Sequence, residues 1–207
     1  MKKKAIIISI KGYKLSYKEK ILFANERPWG LILFKRNIKS LTQVIRLIKK
    51  IRKLAKDTKF PIMIDEEGKT VSRLSKIIVQ KYSQKTFGDI YRFNPKVSLI
   101  IYKNYINNLT SLLKKIGINI NTVPVLDVIR KKTHKIIGNR SFSSDPRIVK
   151  MLGKICVNQY KLNKLGTVIK HIPGHGCAFS DSHLKTPKVK LNKKYLNKID
   201  FFPFKSN

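Results

Sequence analysis

Cysteine and long apolar segments are both scarce in this chain. Its two cysteines, Cys156 and Cys177, are too few for the disulfide framework that stabilises small secreted proteins. No apolar run approaches the roughly 20 residues that a transmembrane helix needs. Lysines at positions 2–4 are followed by only six apolar or small residues before Lys11, too few for the core of a signal peptide. We therefore expect a cytoplasmic protein with no membrane partner.

Acidic residues are scarce as well. The chain has 11 Asp and Glu against 46 Lys and Arg, which gives a formal net charge of +35. Such a charge by itself suggests a nucleic acid or another anionic surface as partner. However, the lysines are spread through every segment, and basic residues do not alternate with aromatic ones as in single-strand binders. We interpret the charge as a solvated lysine surface and expect no specific nucleic acid partner.

The order of apolar segments predicts the fold class. With 207 residues and no repeat, linker or low-complexity segment, we expect one domain over residues 1–207. Short apolar runs alternate with amphipathic stretches, a pattern that indicates an α/β fold with a parallel sheet. The predicted strands are 5–10, 31–34, 61–65, 118–123 and 167–171. The predicted helices are 15–26, 41–56, 95–116, 146–165 and 192–199.

Three of the four histidines fall within thirteen residues, directly after the fifth predicted strand begins. Pro173, Gly174 and Gly176 prevent a helix in this stretch and favour an irregular loop. Parallel α/β enzymes present their chemistry in this way, because polar groups at the carboxyl ends of the strands meet at one edge of the sheet. We therefore expect Lys170 and His171, which end the strand, to lie at a functional site.

Within this loop, Asp181 and His183 are separated by one residue. A carboxylate at this spacing can accept the imidazole N–H, fix its tautomer and raise its basicity. Because histidine and aspartate are also metal ligands, a metal site is an alternative. A proline and a glycine lie between His171 and His175 and keep them from sharing a helix face, so we expect no metal. His175, between two glycines, is interpreted as a histidine that satisfies local hydrogen bonds.

Two further groups of charged residues follow strand patterns. Asp65, Glu66 and Glu67 come directly after the third strand, and either begin a helix, whose dipole favours acids there, or supply a carboxylate that binds substrate. Asp127, after the fourth strand, is expected to orient the loop that follows. For Arg140, the interpretation as an ordinary surface residue is weak because arginine is scarce beside lysine, and its planar fork of donors is one that a lysine cannot copy.

The motif KHIPGHG…DSH resembles the signature of family-3 glycoside hydrolases, specifically the bacterial β-N-acetylhexosaminidases that act in peptidoglycan recycling. Other sequence motifs of that family resemble three further segments of this chain, GLILFKRNI, NTVPVLDV and DFFPF. One more family motif resembles IDEEGKTVSRL, in which Lys69 and Thr70 replace a glycine and an arginine. The resemblance extends over the whole chain but only over the amino-terminal part of the family's domain. It implies an incomplete (β/α)8 TIM barrel of about five strand–helix units, without a cofactor.

The resemblance also implies roles for individual residues. His183 would be the acid/base and Asp181 its partner, in a retaining double displacement that removes N-acetylglucosamine from muropeptides. The residues that would hold the sugar are Asp65, Arg73, Arg140, Lys170 and His171. The family's nucleophile is an aspartate on a later strand. Asp200 is the one acid after His183, and it matches a different motif of the family, the one that resembles DFFPF, so it is not the nucleophile.

That missing nucleophile leaves three hypotheses open. The chain is a β-N-acetylhexosaminidase, or it is an inactive remnant or one half of a split enzyme whose carboxyl-terminal half is encoded separately. A basic nucleic-acid-binding protein is the third hypothesis, and only the charge supports it.

Overall fold

The described part of the chain forms one parallel sheet. A computed structural model describes residues 3–131, 133–178, 186 and 188–205. The strands are β1 (Lys4–Ile8), β2 (Pro28–Leu33), β3 (Ile62–Ile64), β4 (Ile120–Asn121) and β5 (Gly166–Thr167). They pair in the order β1-β2-β3-β4-β5, and every pair is parallel. Sequential parallel order is the arrangement of the first strands of a (β/α)8 barrel, and each lies within or overlaps a predicted strand.

Helices lie between the strands. They are α1 (Tyr17–Ile21), α2 (Leu41–Ala55), α3 (Gln84–Phe93), α4 (Pro95–Ile116), α5 (Pro146–Leu162) and α6 (Lys193–Lys198). A π-helical turn (Leu22–Glu26) extends α1, and 3-10 turns cover Lys35–Asn37, Gly138–Arg140 and Phe202–Phe204. All but α3 lie within the predicted helices.

Local signals explain where the long helices begin and end. The Ser40 hydroxyl accepts the Gln43 N–H at 3.2 Å and starts α2. Asn94 caps α4 just before Pro95, and Gly117, with φ of +98°, ends it. Helices α2, α4 and α5 each bury an apolar face in the core, which stabilises the fold by about 1.5–3 kcal/mol for each large side chain removed from water.

Helix α3 was missed because a glycine lies in its middle. Gly88 lowers helix propensity by about 1 kcal/mol relative to alanine. A Cβ at this position would lie 1.8 Å from the carbonyl oxygen of Phe142. The glycine therefore allows α3 to approach the segment that carries Arg140.

The two outer strands of the described sheet differ from the inner ones in exposure. Ile6 and Ile7 of β1 are 52% and 43% exposed, whereas Ile62 and Ile64 of β3 are completely buried. An edge strand leaves backbone donors and acceptors available for pairing. Among the described residues, no helix combines the length and apolar character needed to cross a membrane.

Candidate active site

Asp65 is the first residue after β3 and lies at the centre of a cluster of charged side chains. Its carboxylate lies 3.0 Å from Lys170 Nζ and 3.3 Å from an Arg73 Nη atom, and it accepts a hydrogen bond from the Thr122 hydroxyl. Burial favours the neutral acid, but Lys170, Thr122 and Arg73 outweigh it and lower the pKa of Asp65. Asp65 is therefore a carboxylate at neutral pH.

Glu67 joins Lys170 to Arg140. Lys170 Nζ lies 2.6 Å from Glu67 Oε1, and Arg140 holds both Glu67 oxygens through bonds of 2.8 and 3.0 Å. Burial opposes the charge of Arg140, but the bond and attraction to Glu67 outweigh it and raise the arginine pKa. Such a bidentate pair fixes the guanidinium plane at the site. Sequence reasoning assigned no role to Glu67, although it singled out the acidic triplet.

His171 connects this cluster to Asp127. Its Nε2 lies 3.2 Å from an Arg140 Nη atom, and its Nδ1 lies 2.6 Å from an Asp127 oxygen. Because a guanidinium can only donate, Nε2 must accept, so we assign the hydrogen to Nδ1, which donates to Asp127. Asp127 also accepts the His175 backbone N–H at 2.6 Å. The Asp127 carboxylate therefore orients the loop after β5, and the expectation that it orients the loop directly after Asp127 stays a prediction.

Glu66 points to the interior and shapes the loop after β3. Its carboxylate accepts the backbone N–H groups of Arg73 and Leu74 at 2.8 and 2.9 Å, and the Gln80 amide at 2.9 Å. Burial raises the pKa of Glu66 despite these bonds. The alternative that the acidic triplet begins a helix is wrong, since α3 starts only at Gln84.

The two positions at which IDEEGKTVSRL departs from the family's motif lie on the exposed side of this loop. Lys69 and Thr70 are both exposed, and the Lys69 N–H donates to the Tyr82 carbonyl at 2.8 Å. Gly68, with φ of +133°, leaves room for that carbonyl, which would lie 2.6 Å from a Cβ. Arg73 still reaches Asp65 and stacks 5.7 Å from the centre of the Phe34 ring.

Five predicted binding residues are therefore brought together: Asp65, Arg73, Arg140, Lys170 and His171. We call these five, with Glu67 and Asp127, the rim cluster. The Lys170–His171 peptide bond is cis. Three cations and three carboxylates balance in the cluster, in a chain whose net charge is +35. Side-chain exposures of 18% for Asp65, 30% for Arg73 and 36% for His171 leave these groups accessible to a ligand.

Two other histidine predictions have different outcomes. Asp181 and His183 lie outside the described residues. The interpretation of His175 is wrong for its ring, because both ring nitrogens are buried and have no hydrogen-bond partner in the described structure. Its ring instead packs edge-on at 6.2 Å from that of His171. Within the described ranges, no group of three or more His, Cys, Asp or Glu is arranged to hold a metal ion.

Solved structures of similar proteins share this fold. NagZ from Neisseria gonorrhoeae superposes with a TM-score of 0.87 at 26% identity, covering 98% of this chain and 58% of that chain. A glycoside hydrolase family 3 β-N-acetylglucosaminidase from Paenibacillus sp. str. FPU-7 also gives 0.87 at 26% identity, covering 96% of this chain and 37% of that one. The predicted fold, the amino-terminal part of a (β/α)8 barrel, is confirmed.

Sequence comparison gives the same family. A β-hexosaminidase from Xanthomonas campestris pv. campestris is 30% identical over 179 residues, which are 86% of this chain and 53% of the relative. The chain thus spans about half the length of the curated relatives it matches. Residues 4–207 match the family described as "Glycosyl hydrolase family 3 N terminal domain". This match covers nearly the whole sequence, and the chain therefore belongs to glycoside hydrolase family 3.

Proposed function

We propose that residues 1–207 form one unit, the sugar-binding amino-terminal part of a retaining β-N-acetylhexosaminidase. The observation that carries this proposal is the charge-balanced rim cluster. A neutral sugar offers hydroxyl groups that both donate and accept hydrogen bonds, and the cluster offers carboxylates and cations side by side. A cluster without net charge suits such a ligand better than a polyanion.

Each rim residue has a distinct contribution in this proposal. Asp65, held ionised by Lys170 and Arg73, accepts hydrogen bonds from ring hydroxyls. Arg73 and Lys170 donate to sugar oxygens from either side of that carboxylate. Arg140 and His171 form the next part of the wall, with Asp127 fixing the imidazole orientation. Holding these donors and acceptors in place before the sugar arrives reduces the entropy cost of binding.

Relatives support N-acetylglucosamine as the sugar. The NagZ of Neisseria gonorrhoeae has been solved in complex with N-trifluoroacetyl-D-glucosamine, at 26% identity and a TM-score of 0.87. The Paenibacillus structure is that of a β-N-acetylglucosaminidase. We extend this substrate to the present chain and propose a muropeptide of the cytoplasm as its source, with N-acetylglucosamine as the terminal unit that is removed.

The catalytic step follows the family's retaining mechanism. His183 protonates the leaving oxygen and later activates water, and Asp181 holds its imidazole. The covalent intermediate needs a carboxylate nucleophile on the opposite face of the sugar. Asp200 does not suit that role, because it is 1% exposed and paired with Arg130. A carboxyl-terminal half, in the same chain or separately encoded, would supply the nucleophile, and no cofactor is required.

The test is a binding measurement on the 207-residue chain. Calorimetry or NMR titration with N-acetylglucosamine should give a measurable affinity, and Lys170→Met should lower it at least tenfold. Lys154→Met, an exposed lysine of α5, is the matched control and should bind as the wild type does. Unchanged binding by the Lys170→Met protein would reject the assignment of the rim cluster as the sugar site.

A further inference from the structure

The segment between β3 and α3 is long and has little regular structure. Residues 65–83 are all described, and no helix or strand lies among them. Connections of this length are uncommon in compact domains unless they carry function. This one carries Arg73, whose guanidinium lies 3.3 Å from the Asp65 carboxylate in the rim cluster. The contacts that hold the segment in place therefore decide where the Arg73 guanidinium lies.

One buried carboxylate, that of Glu66, holds the middle of this segment. Glu66 is completely buried, and its Oε2 atom accepts two consecutive backbone N–H groups, those of Arg73 and Leu74, at 2.8 and 2.9 Å. Its Oε1 atom accepts the Gln80 amide at 2.9 Å. Hydrogen bonds to an ionised acceptor are roughly twice as strong as those between neutral groups. The charge of Glu66 therefore strengthens the contact that fixes the Arg73 backbone.

Glu66 is itself fixed to the sheet and to α4. The Asn121 side chain of β4 accepts the Glu66 N–H at 2.9 Å and donates to the Glu66 carbonyl at 2.9 Å. Gln80, which donates to the Glu66 carboxylate, accepts the hydroxyl of Tyr105 in α4 at 3.0 Å. A binding side chain is held precisely when the groups behind it are themselves fixed by packing and hydrogen bonds. This arrangement connects Arg73 to the sheet through a single carboxylate.

We propose that Glu66 is a positioning residue for sugar binding, whose ionised carboxylate holds the Arg73 backbone so that the guanidinium meets both Asp65 and the sugar. This inference rests on the proposed function, since it takes the rim cluster as the sugar site. Glu66 does not touch the ligand, because its side chain is completely buried. Its effect on sugar affinity passes through Arg73.

The proposal makes sugar affinity depend on the protonation of Glu66. Burial raises the pKa of Glu66, so it takes up its proton at a higher pH than an exposed glutamate does. The pKa of Asp65 is lowered, so Asp65 remains ionised while Glu66 is protonated. Sugar affinity should therefore be highest above the pKa of Glu66 and fall as the pH drops through it.

The groups that face Glu66 do not titrate with it. The other titratable residues lining the small cavity beside it are Glu67, Tyr102, Tyr105, Cys156 and Tyr160. Burial raises the pKa of the three tyrosines and of the cysteine, so all four stay neutral between pH 4.5 and pH 7. Glu67 is paired with Lys170 and Arg140. A change in affinity that Glu66→Gln abolishes is thus assigned to Glu66.

The experiment is an NMR titration of the 207-residue chain with N-acetylglucosamine between pH 7 and pH 4.5. Glu66→Gln keeps the shape and an acceptor oxygen but has no charge at any pH. At pH 7 it should bind about fivefold more weakly than the wild type, because bonds to a charged acceptor are stronger. Wild-type affinity should fall towards that of the variant at low pH. Glu26→Gln, whose side chain is 54% exposed, is the matched control and should follow the wild type.

A double-substitution cycle tests whether the effect passes through Arg73. In an Arg73→Met background, Glu66→Gln should weaken binding further by less than about twofold, because the residue through which it acts is gone. A full further fivefold loss would overturn the inference. So would an unchanged affinity or an unchanged pH profile in the Glu66→Gln protein.

Amide exchange of the wild type gives a second test that needs no variant. The protection factors of the Arg73 and Leu74 amides should fall between pH 7 and pH 4.5, while those of the α4 interior stay constant. Constant protection at both amides would overturn the inference and leave the proposed function standing. If N-acetylglucosamine does not bind the wild type at pH 7, the proposed function fails and the inference fails with it.

Discussion

The rim cluster and a basic groove between α1 and α2 both carry several cations, but they differ in what surrounds those cations. The cations of the groove are Lys14, Lys20, Lys39, Arg46 and Lys50. In the rim cluster, Lys170 touches both Asp65 and Glu67. In the groove, Lys39 and Arg46 meet no carboxylate within the described residues. The comparison shows that a net charge of +35 says little about an individual site. Three of the eleven acids lie in the rim cluster, and they balance its three cations.

The largest effect should follow from removing the central cation of the rim cluster. Lys170→Met leaves Asp65 and Glu67 partly buried without their shared partner. Breaking a buried ion pair costs about 3–5 kcal/mol, so we expect unfolding in urea at a markedly lower midpoint. Lys20→Met in the groove is the control, and its free energy of unfolding should change by less than about 0.5 kcal/mol. Equal changes in both proteins would remove the distinction between the two regions.

The second prediction concerns pH and Asp65. Its pKa is lowered in the folded state, so its contribution to stability is present above the unfolded pKa and lost as the pH falls through the folded pKa. The wild type should therefore lose more stability than Asp65→Asn between pH 5 and pH 2. Lys20→Met, whose lysine touches no carboxylate in the described part of the chain, should follow the wild-type curve. Chemical unfolding at a series of pH values measures this, and parallel curves for wild type and Asp65→Asn would contradict it.

Most of the rim cluster was predictable because parallel strands bring their carboxyl ends to one edge. Asp65, Lys170 and His171 each follow a recognisable apolar run, so their meeting follows from strand order alone. The resemblance to the family added Arg73 and Arg140, whose loops have no strand pattern of their own. Both arginines contact other members of the rim cluster, and their role in holding a sugar stays a prediction.

Other features depend on contacts that adjacent residues do not reveal. Within the acidic triplet, only the path of the loop decides that Glu66 turns inward and Glu67 faces Lys170. Gly88 lowers the helix propensity of α3, so the sequence did not predict this helix. The glycine is needed for close contact with the backbone of Phe142, which lies 54 residues away in the sequence. The unpartnered ring of His175 was equally unpredictable, since its backbone, rather than its side chain, holds Asp127.

The smallest effect is expected at Arg73, which lies at the outer end of the rim cluster. It is 30% exposed, and its single contact with Asp65 is 3.3 Å long, so Arg73→Lys should lower the free energy of unfolding by no more than about 1 kcal/mol. Sugar binding should weaken more visibly, because a lysine keeps the charge but loses the planar fork and the stacking on Phe34. Urea unfolding and N-acetylglucosamine titration of the same protein separate these effects. A loss of stability as large as that of Lys170→Met would place Arg73 among the groups that hold the fold, and full retention of binding would leave Asp65 without its proposed partner in sugar recognition.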